Sequence, residues 1–214
     1  MSARAASALV AAAAALLGAA TARADDPSWR PASASDAAPA PARGDRLGWY
    51  VPDYARVGSG GYLGAAVAGV GYDLYRDVIN AGVSYGYAPP RGGAPAYHSL
   101  SAHLALRPLH LRLHRDVELV PIYVGGGFLR AFGPNLFVHQ PPVYPSNYYE
   151  PNALHPTAFA GAELNLLTPR SLVRRHGVYY EATTIGQYLY AFVRNDDLRL
   201  YDAFSSFVGY RASF

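Results

Sequence analysis

The sequence predicts an all-β fold, an antiparallel eight-stranded transmembrane β-barrel. Three observations carry this. From about residue 46 onward, large apolar residues alternate with small or polar ones at a period of two, and no helical period appears. The connections between the alternating segments are short at one end and long at the other. With both termini on the same side, the strand count comes out even, as in bacterial single-chain barrels.

The barrel is preceded by two other segments. Arg4 supplies a positive start, and residues 5–20, "AASALVAAAAALLGAA", form an Ala-rich apolar run. Ala22 and Ala24 put small residues at both specificity positions for a cut after Ala24. Residues 1–24 therefore read as a secretory signal peptide. The apolar run is short against the about 20 residues of a membrane-spanning helix. No Cys follows the cut, which excludes a lipid anchor through an N-terminal Cys. Residues 25–45, rich in Ala, Pro, Ser and Asp, read as a disordered periplasmic linker.

The barrel occupies 46–214. Strands are expected at 46–54, 60–72, 77–88, 97–107, 117–131, 157–168, 177–192 and 199–214. The third is the clearest. Ile79, Ala81, Val83, Tyr85 and Tyr87 share one face; Asn80, Gly82, Ser84 and Gly86 share the other. The first strand is demanded by parity, and Pro52 within it has to sit at an edge or bulge. Tight turns are read at 75–77 and 168–177, and another at 108–116, whose alternation can extend a strand. Loops 89–98 and 133–156 belong to the opposite end, and topology places 133–156 outside the cell. Tyr144, Asn147, Tyr148 and Tyr149 make that loop the candidate contact surface, because Tyr and Asn combine contact area with adaptable hydrogen bonding.

Composition narrows the function classes. The chain has 214 residues and no Cys, so it is stabilised without disulfides. All 18 basic residues are Arg, they are scattered, and the net charge is +3. Such scatter excludes a nucleic-acid surface. No metal-ligand framework is present, and no cofactor is expected. Gly125, Gly126 and Gly127 precede neither a helix nor a Lys, so they read as relief of crowding rather than a phosphate cradle.

The last strand ends "FVGYRASF". Val208, Tyr210 and Phe214, with Ala212 between, fall on one register at the very end of the chain. This resembles the terminal strand of bacterial outer-membrane β-barrels, in which a final aromatic is recognised by the assembly machinery. The resemblance covers 46–214 as architecture. It implies the bacterial outer membrane as location, outer-membrane lipid and the barrel-assembly machinery as partners, and Val208, Tyr210 and Phe214 as the assembly signal. A monomer is expected.

The inward registers are expected to hold Ser101, His103, Glu118, Glu163, Glu181 and Arg211, with Ser99, Asn165, Thr183 and Gln187 beside them. An eight-stranded barrel is just wide enough for side chains to fill, so these read as an ion-paired interior plug. "YHSLSAH" (97–103) also holds Ser and His close together, and outer-membrane lipid A deacylases use Ser, His and Glu on a small barrel. His98 and Ser99 face opposite sides of a strand, however, while Ser101 and His103 point inward. No catalytic residue is assigned. Three functions remain open: a structural or surface-interaction protein of the outer membrane, a lipid-modifying, deacylase-like barrel, and a soluble periplasmic β-protein.

Overall fold

The computed structural model describes residues 50–75, 77–139, 142, 145, 152–168, 171–194 and 200–214. The signal segment with Ala22 and Ala24, the linker, and Tyr144, Asn147, Tyr148 and Tyr149 lie outside the described residues. The strands are β1 (Tyr54–Gly60), β2 (Gly64–Leu74), β3 (Ile79–Ala88), β4 (Tyr97–Leu106), β5 (Leu111–His114), β6 (Val117–Phe132), β7 (Leu154–Leu167), β8 (Arg175–Ile185) and β9 (Ser205–Ser213). Two helices, α1 (Gly186–Arg194) and α2 (Leu200–Ala203), stand between β8 and β9.

All pairings are antiparallel. The sheet runs β4-β3-β2-β1-β9-β8-β7-β6-β5, and a β4–β6 pairing closes it. The four-residue β5 pairs only with the foot of β6, so the wall is an eight-stranded closed barrel. Closure removes the unpaired edges that an open sheet would leave. The register climbs about ten residues in one circuit of the wall, which tilts the strands by roughly 40°. We call the end carrying Tyr54 and Phe214 the lower end. The β6–β7 and β8–β9 connections lie at the upper end.

Several expected boundaries move. The first strand does not span 50–53, and 46–49 of its expected range lie outside the described residues. It begins at Tyr54, after Pro52, and continues through the Gly-rich Val57–Gly60 segment that had read as a connection. The true turn is at 61–63, where Gly60, Gly61 and Gly64 take φ of 113°, 62° and 138°, values open to Gly because it has no Cβ. The seventh strand stops at Ile185, not 192, and the eighth begins at Ser205, not 199. Residues 186–194 are helical although Tyr188, Tyr190 and Phe192 alternate. Beyond Thr183–Ser205 the ladder between β8 and β9 ends, and a segment that has lost its ladder on that side satisfies its backbone internally as a helix. β7 starts earlier than expected, at Leu154, with Pro156 opposite Phe128.

The two faces of the wall differ sharply. Outward registers carry Val57, Val70, Val83, Leu100, Leu104, Ile122, Val124, Phe128 and Val178, all exposed. Inward registers carry Arg56, Asp73, Ser99, Ser101, His103, Glu163, Asn165, Glu181 and Arg211, all buried. Large inward rings meet glycines on adjacent strands. A Cβ on Gly209 would lie 2.3 Å from the Tyr179 ring, and one on Gly125 would lie 2.3 Å from the Phe159 ring. One on Gly161 would lie 2.6 Å from the Tyr123 ring.

This packing predicts that Gly209→Ala destabilises the barrel by ~1–3 kcal/mol, the usual cost of overpacking a filled core. Shrinking the opposing ring, in the double variant Gly209→Ala/Tyr179→Leu, should cost less than the two single changes summed. Urea unfolding of all three variants checks both statements.

Candidate functional site

The polar interior is arranged in three levels. At the lower level, Asp73 on β2 is the hub. Arg211 Nη2 on β9 donates to its Oδ1 at 2.5 Å, and Arg175 Nη2 on β8 donates to its Oδ2 at 3.4 Å. Asn80 on β3 donates to the same carboxylate. Arg175 Nη1 also reaches Asp77 at 3.2 Å and Glu118 at 3.3 Å. Glu118 additionally meets His110 Nδ1 at 3.4 Å and accepts from Asn165 at 3.4 Å. Glu163 on β7 accepts from Arg107 Nη2 at 2.5 Å, with Arg211 Nη1 at 3.9 Å.

The middle level mixes charge with aromatic rings. Arg56 Nη1 donates to Glu181 Oε1 at 3.3 Å, and the Tyr123 hydroxyl donates to the same oxygen at 3.1 Å. The Arg56 guanidinium lies 5.4 Å from the Tyr179 ring centre and 5.7 Å from that of Phe207. Arg211 lies over Tyr54 at 3.9 Å. Such cation–ring contacts supply attraction where water is excluded. A cavity of about 20 Å³ lies among Tyr54, His103, Arg107, Tyr123, Glu163 and Glu181. It is polar and has room for about one water.

At the upper level hydroxyls meet backbone. Ser99 Oγ donates to Leu63 O at 2.5 Å, Ser101 Oγ to Ser84 O at 3.4 Å, and Thr183 Oγ1 to Ser205 O at 3.2 Å. The Tyr62 ring stacks on Tyr188 of α1 at 5.5 Å. A second cavity of about 30 Å³ is bounded by Arg56, Ser101, His103, Phe159, Thr183 and Ile185.

The six residues expected inside, Ser101, His103, Glu118, Glu163, Glu181 and Arg211, all lie on inward registers, with Glu118 nearest the lower opening. Gln187 does not. It is exposed on α1, because the strand that would have turned it inward ends two residues earlier. Sequence reasoning missed Arg56, Asp73, Arg107 and Arg175 as network members. Arg56 fell between two misplaced strands, Arg175 in an expected turn, and Asp73 one residue beyond an expected strand. The signal was present in registers such as Arg175, Gly177, Tyr179, Glu181, which continue the inward alternation without a break.

The Ser and His side chains do not assemble for nucleophilic catalysis. His103 Nε2 shares a hydrogen bond with the Tyr54 hydroxyl at 3.3 Å rather than with a serine. His98 points outward and its Nδ1 meets Tyr85 at 2.5 Å, while Ser99 points inward. A nucleophile needs a base within hydrogen-bond reach. At the end of the chain, Val208, Tyr210 and Phe214 face outward, and the Phe214 N–H donates to Asp53 O at 2.9 Å.

The lower network predicts a large effect from breaking one pair. Glu163→Ala leaves the buried Arg107 guanidinium without its carboxylate and should cost ~3–5 kcal/mol of unfolding free energy. The apolar double variant Glu163→Leu/Arg107→Met should recover most of that loss, since no charge is then left unpaired. Equal stability of Glu163→Ala and the parent in urea titrations would contradict the network.

The chain matches no protein-family model and no curated protein.

Proposed function

We propose that this chain is a bacterial outer-membrane β-barrel with a structural or surface-interaction role, its upper loops facing outside the cell. The observation that carries the reading is the inverted polarity of a closed wall. The outward face is apolar through its middle: Leu104 is 59% exposed, Phe128 62% and Val57 53%. The inward face holds the ion pairs. A soluble barrel needs the opposite arrangement, because exposed apolar area is costly in water and paired charges gain little from being enclosed. Lipid inverts the first term, and a closed antiparallel barrel satisfies every wall hydrogen bond internally.

Further features support the reading. On the outward registers of the eight long strands the acidic and basic side chains (Asp, Glu, Arg, His) are His98, Arg130 and His176, and all three lie toward strand ends. Exposed aromatics also gather at the ends, with Tyr85, Tyr87 and Phe132 above and Tyr72, Tyr210 and Phe214 below. Aromatic side chains favour the depth where a ring is half wet. The terminal register of Val208, Tyr210 and Phe214 fits an assembly signal. Cavities of about 20 and 30 Å³ inside the barrel suit single waters rather than passing solutes, which argues against a pore. The contacts of Ser101 and His103 give a hydrolytic role no support.

Fractionation tests the location. Full-length protein made in a Gram-negative host should be recovered with the outer membrane and should migrate differently in gels before and after boiling. Recovery as soluble periplasmic protein would reject the proposal. Deleting Phe214 should lower the amount of folded barrel several-fold without changing its behaviour once folded.

Topology has its own check. An epitope inserted at Ser146 should be reached by antibody on intact cells, with the barrel still heat-modifiable. Labelling only after permeabilisation would reverse the orientation.

A further inference from the structure

We propose that the upper outer rim of β3, β4 and β6 binds the phosphate of an outer-leaflet lipid. The proposal rests on the outer-membrane reading above. Its starting point is Arg130, the permanently charged side chain on the outward registers of the long strands. It is exposed, and its guanidinium lies 5.0 Å from the Phe132 ring centre. A cation facing lipid is strongly unfavourable at the midplane of a barrel and nearly neutral at the interface. Arg130 is thus at a depth where a headgroup can meet it.

The register brings further donors beside it. Tyr87, His98 and Phe132 form one row across β3, β4 and β6, and Tyr85, Leu100 and Arg130 form the next. His98 and Arg130 are therefore diagonal neighbours on one face, roughly 7–8 Å apart at the backbone. The His98 ring is held between Tyr85 and Tyr87, with centroids at 5.8 and 5.1 Å. Its Nδ1 meets the Tyr85 hydroxyl at 2.5 Å. Among the described residues its Nε2 has no partner, so it can turn to a ligand. Arg91 stands above this row, in the β3–β4 hairpin closed by the Arg91–Ala94 bridge.

Charge sets the ligand. Residues 78–115 and 119–149 contain no Asp and no Glu. Among the described residues neither Arg91 nor Arg130 has a carboxylate partner. The interior arginines, by contrast, are all paired. Two guanidiniums with no carboxylate partner among the described residues and a fixed imidazole, framed by aromatic rings above an apolar wall, suit an anion that carries acyl chains. Arg binds phosphate through paired, charge-assisted hydrogen bonds. The apolar belt below, with Leu100, Leu104 and Phe128, would take the chains.

The test uses the full chain purified in detergent. The probes are lipid A carrying two phosphates, the same lipid with both removed, and inorganic phosphate, with retention read by native mass spectrometry. The parent should retain the phosphorylated lipid on the order of tenfold more than the dephosphorylated one, the scale of one net charge-assisted hydrogen bond. Arg91→Gln/Arg130→Gln should remove that preference, and Arg112→Gln, a cation at the lower end, should keep it. Inorganic phosphate should not displace the lipid. Equal retention by the parent and the double variant, both heat-modifiable, overturns the site. Equal retention of the two lipids overturns the phosphate, and displacement by inorganic phosphate overturns the lipid. A chain that needs no detergent overturns the membrane reading instead.

Discussion

The interior of an eight-stranded barrel is too narrow for a large side chain at every inward position. The rest of this structure follows from how that space is shared. Large inward residues lie opposite glycines across the ladder. Tyr54 faces Gly71, and His103 sits between Gly82 and Gly127. Phe159 faces Gly125, and Gly161 separates Tyr123 from Glu181. Tyr179 faces Gly209, and Gly177 separates Asn165 from Arg211. Each glycine removes a Cβ where a neighbouring ring or charged head must lie. The Tyr- and Gly-rich texture of the chain is thus a packing pattern.

That space makes the charge network possible. Arg56 and Arg211 are direct cross-strand partners, an arrangement that is ordinarily repulsive. Here the two heads part. Arg56 reaches Glu181, lying against the stacked rings of Tyr179 and Phe207, while Arg211 reaches Asp73 and Glu163. Gly69 and Gly177 flank the pair on either side and leave room for the divergence. Four arginines meet Asp73, Glu118, Glu163 and Glu181 in this way, drawn from six strands and the segment after β4. A network spanning that many strands couples distant parts of the wall, so losing one member leaves a buried charge rather than a small gap.

Much of this was legible in the sequence. Strands β3 and β4 follow their alternation closely, because each is flanked by strands throughout and one face is uniformly apolar. The inward placement of His103, Glu163, Glu181 and Arg211 followed from period alone. The errors share one cause: local pattern does not say whether a neighbouring strand exists. Residues 55–59 fell between the first two expected strands, yet Gly58 lies in β1 and is needed under Phe207. "GQYLYAFV" read as a strand, but β9 offers it no ladder at that height. The partners within the network were hidden for a related reason. Period assigns a face, while Asp73 and Arg211 are 138 residues apart and meet through the register.

A filled interior also decides where function can reside. Side chains inside the wall are committed to one another, and a ligand entering there would have to break ion pairs whose loss costs several kcal/mol, in the range of about 3–5 for a single buried partner. Exchange with other molecules is therefore left to the outer face, the rims and the upper loops. On the outer face most positions are apolar and interchangeable. Specificity needs groups that depart from that background, and departures are costly in lipid except near its boundary. Arg91 and Arg130 escaped notice in the sequence because lone arginines are common on solvated surfaces. Only the closed wall reveals that one stands on an outward register and the other just above it, with no carboxylate partner for either among the described residues.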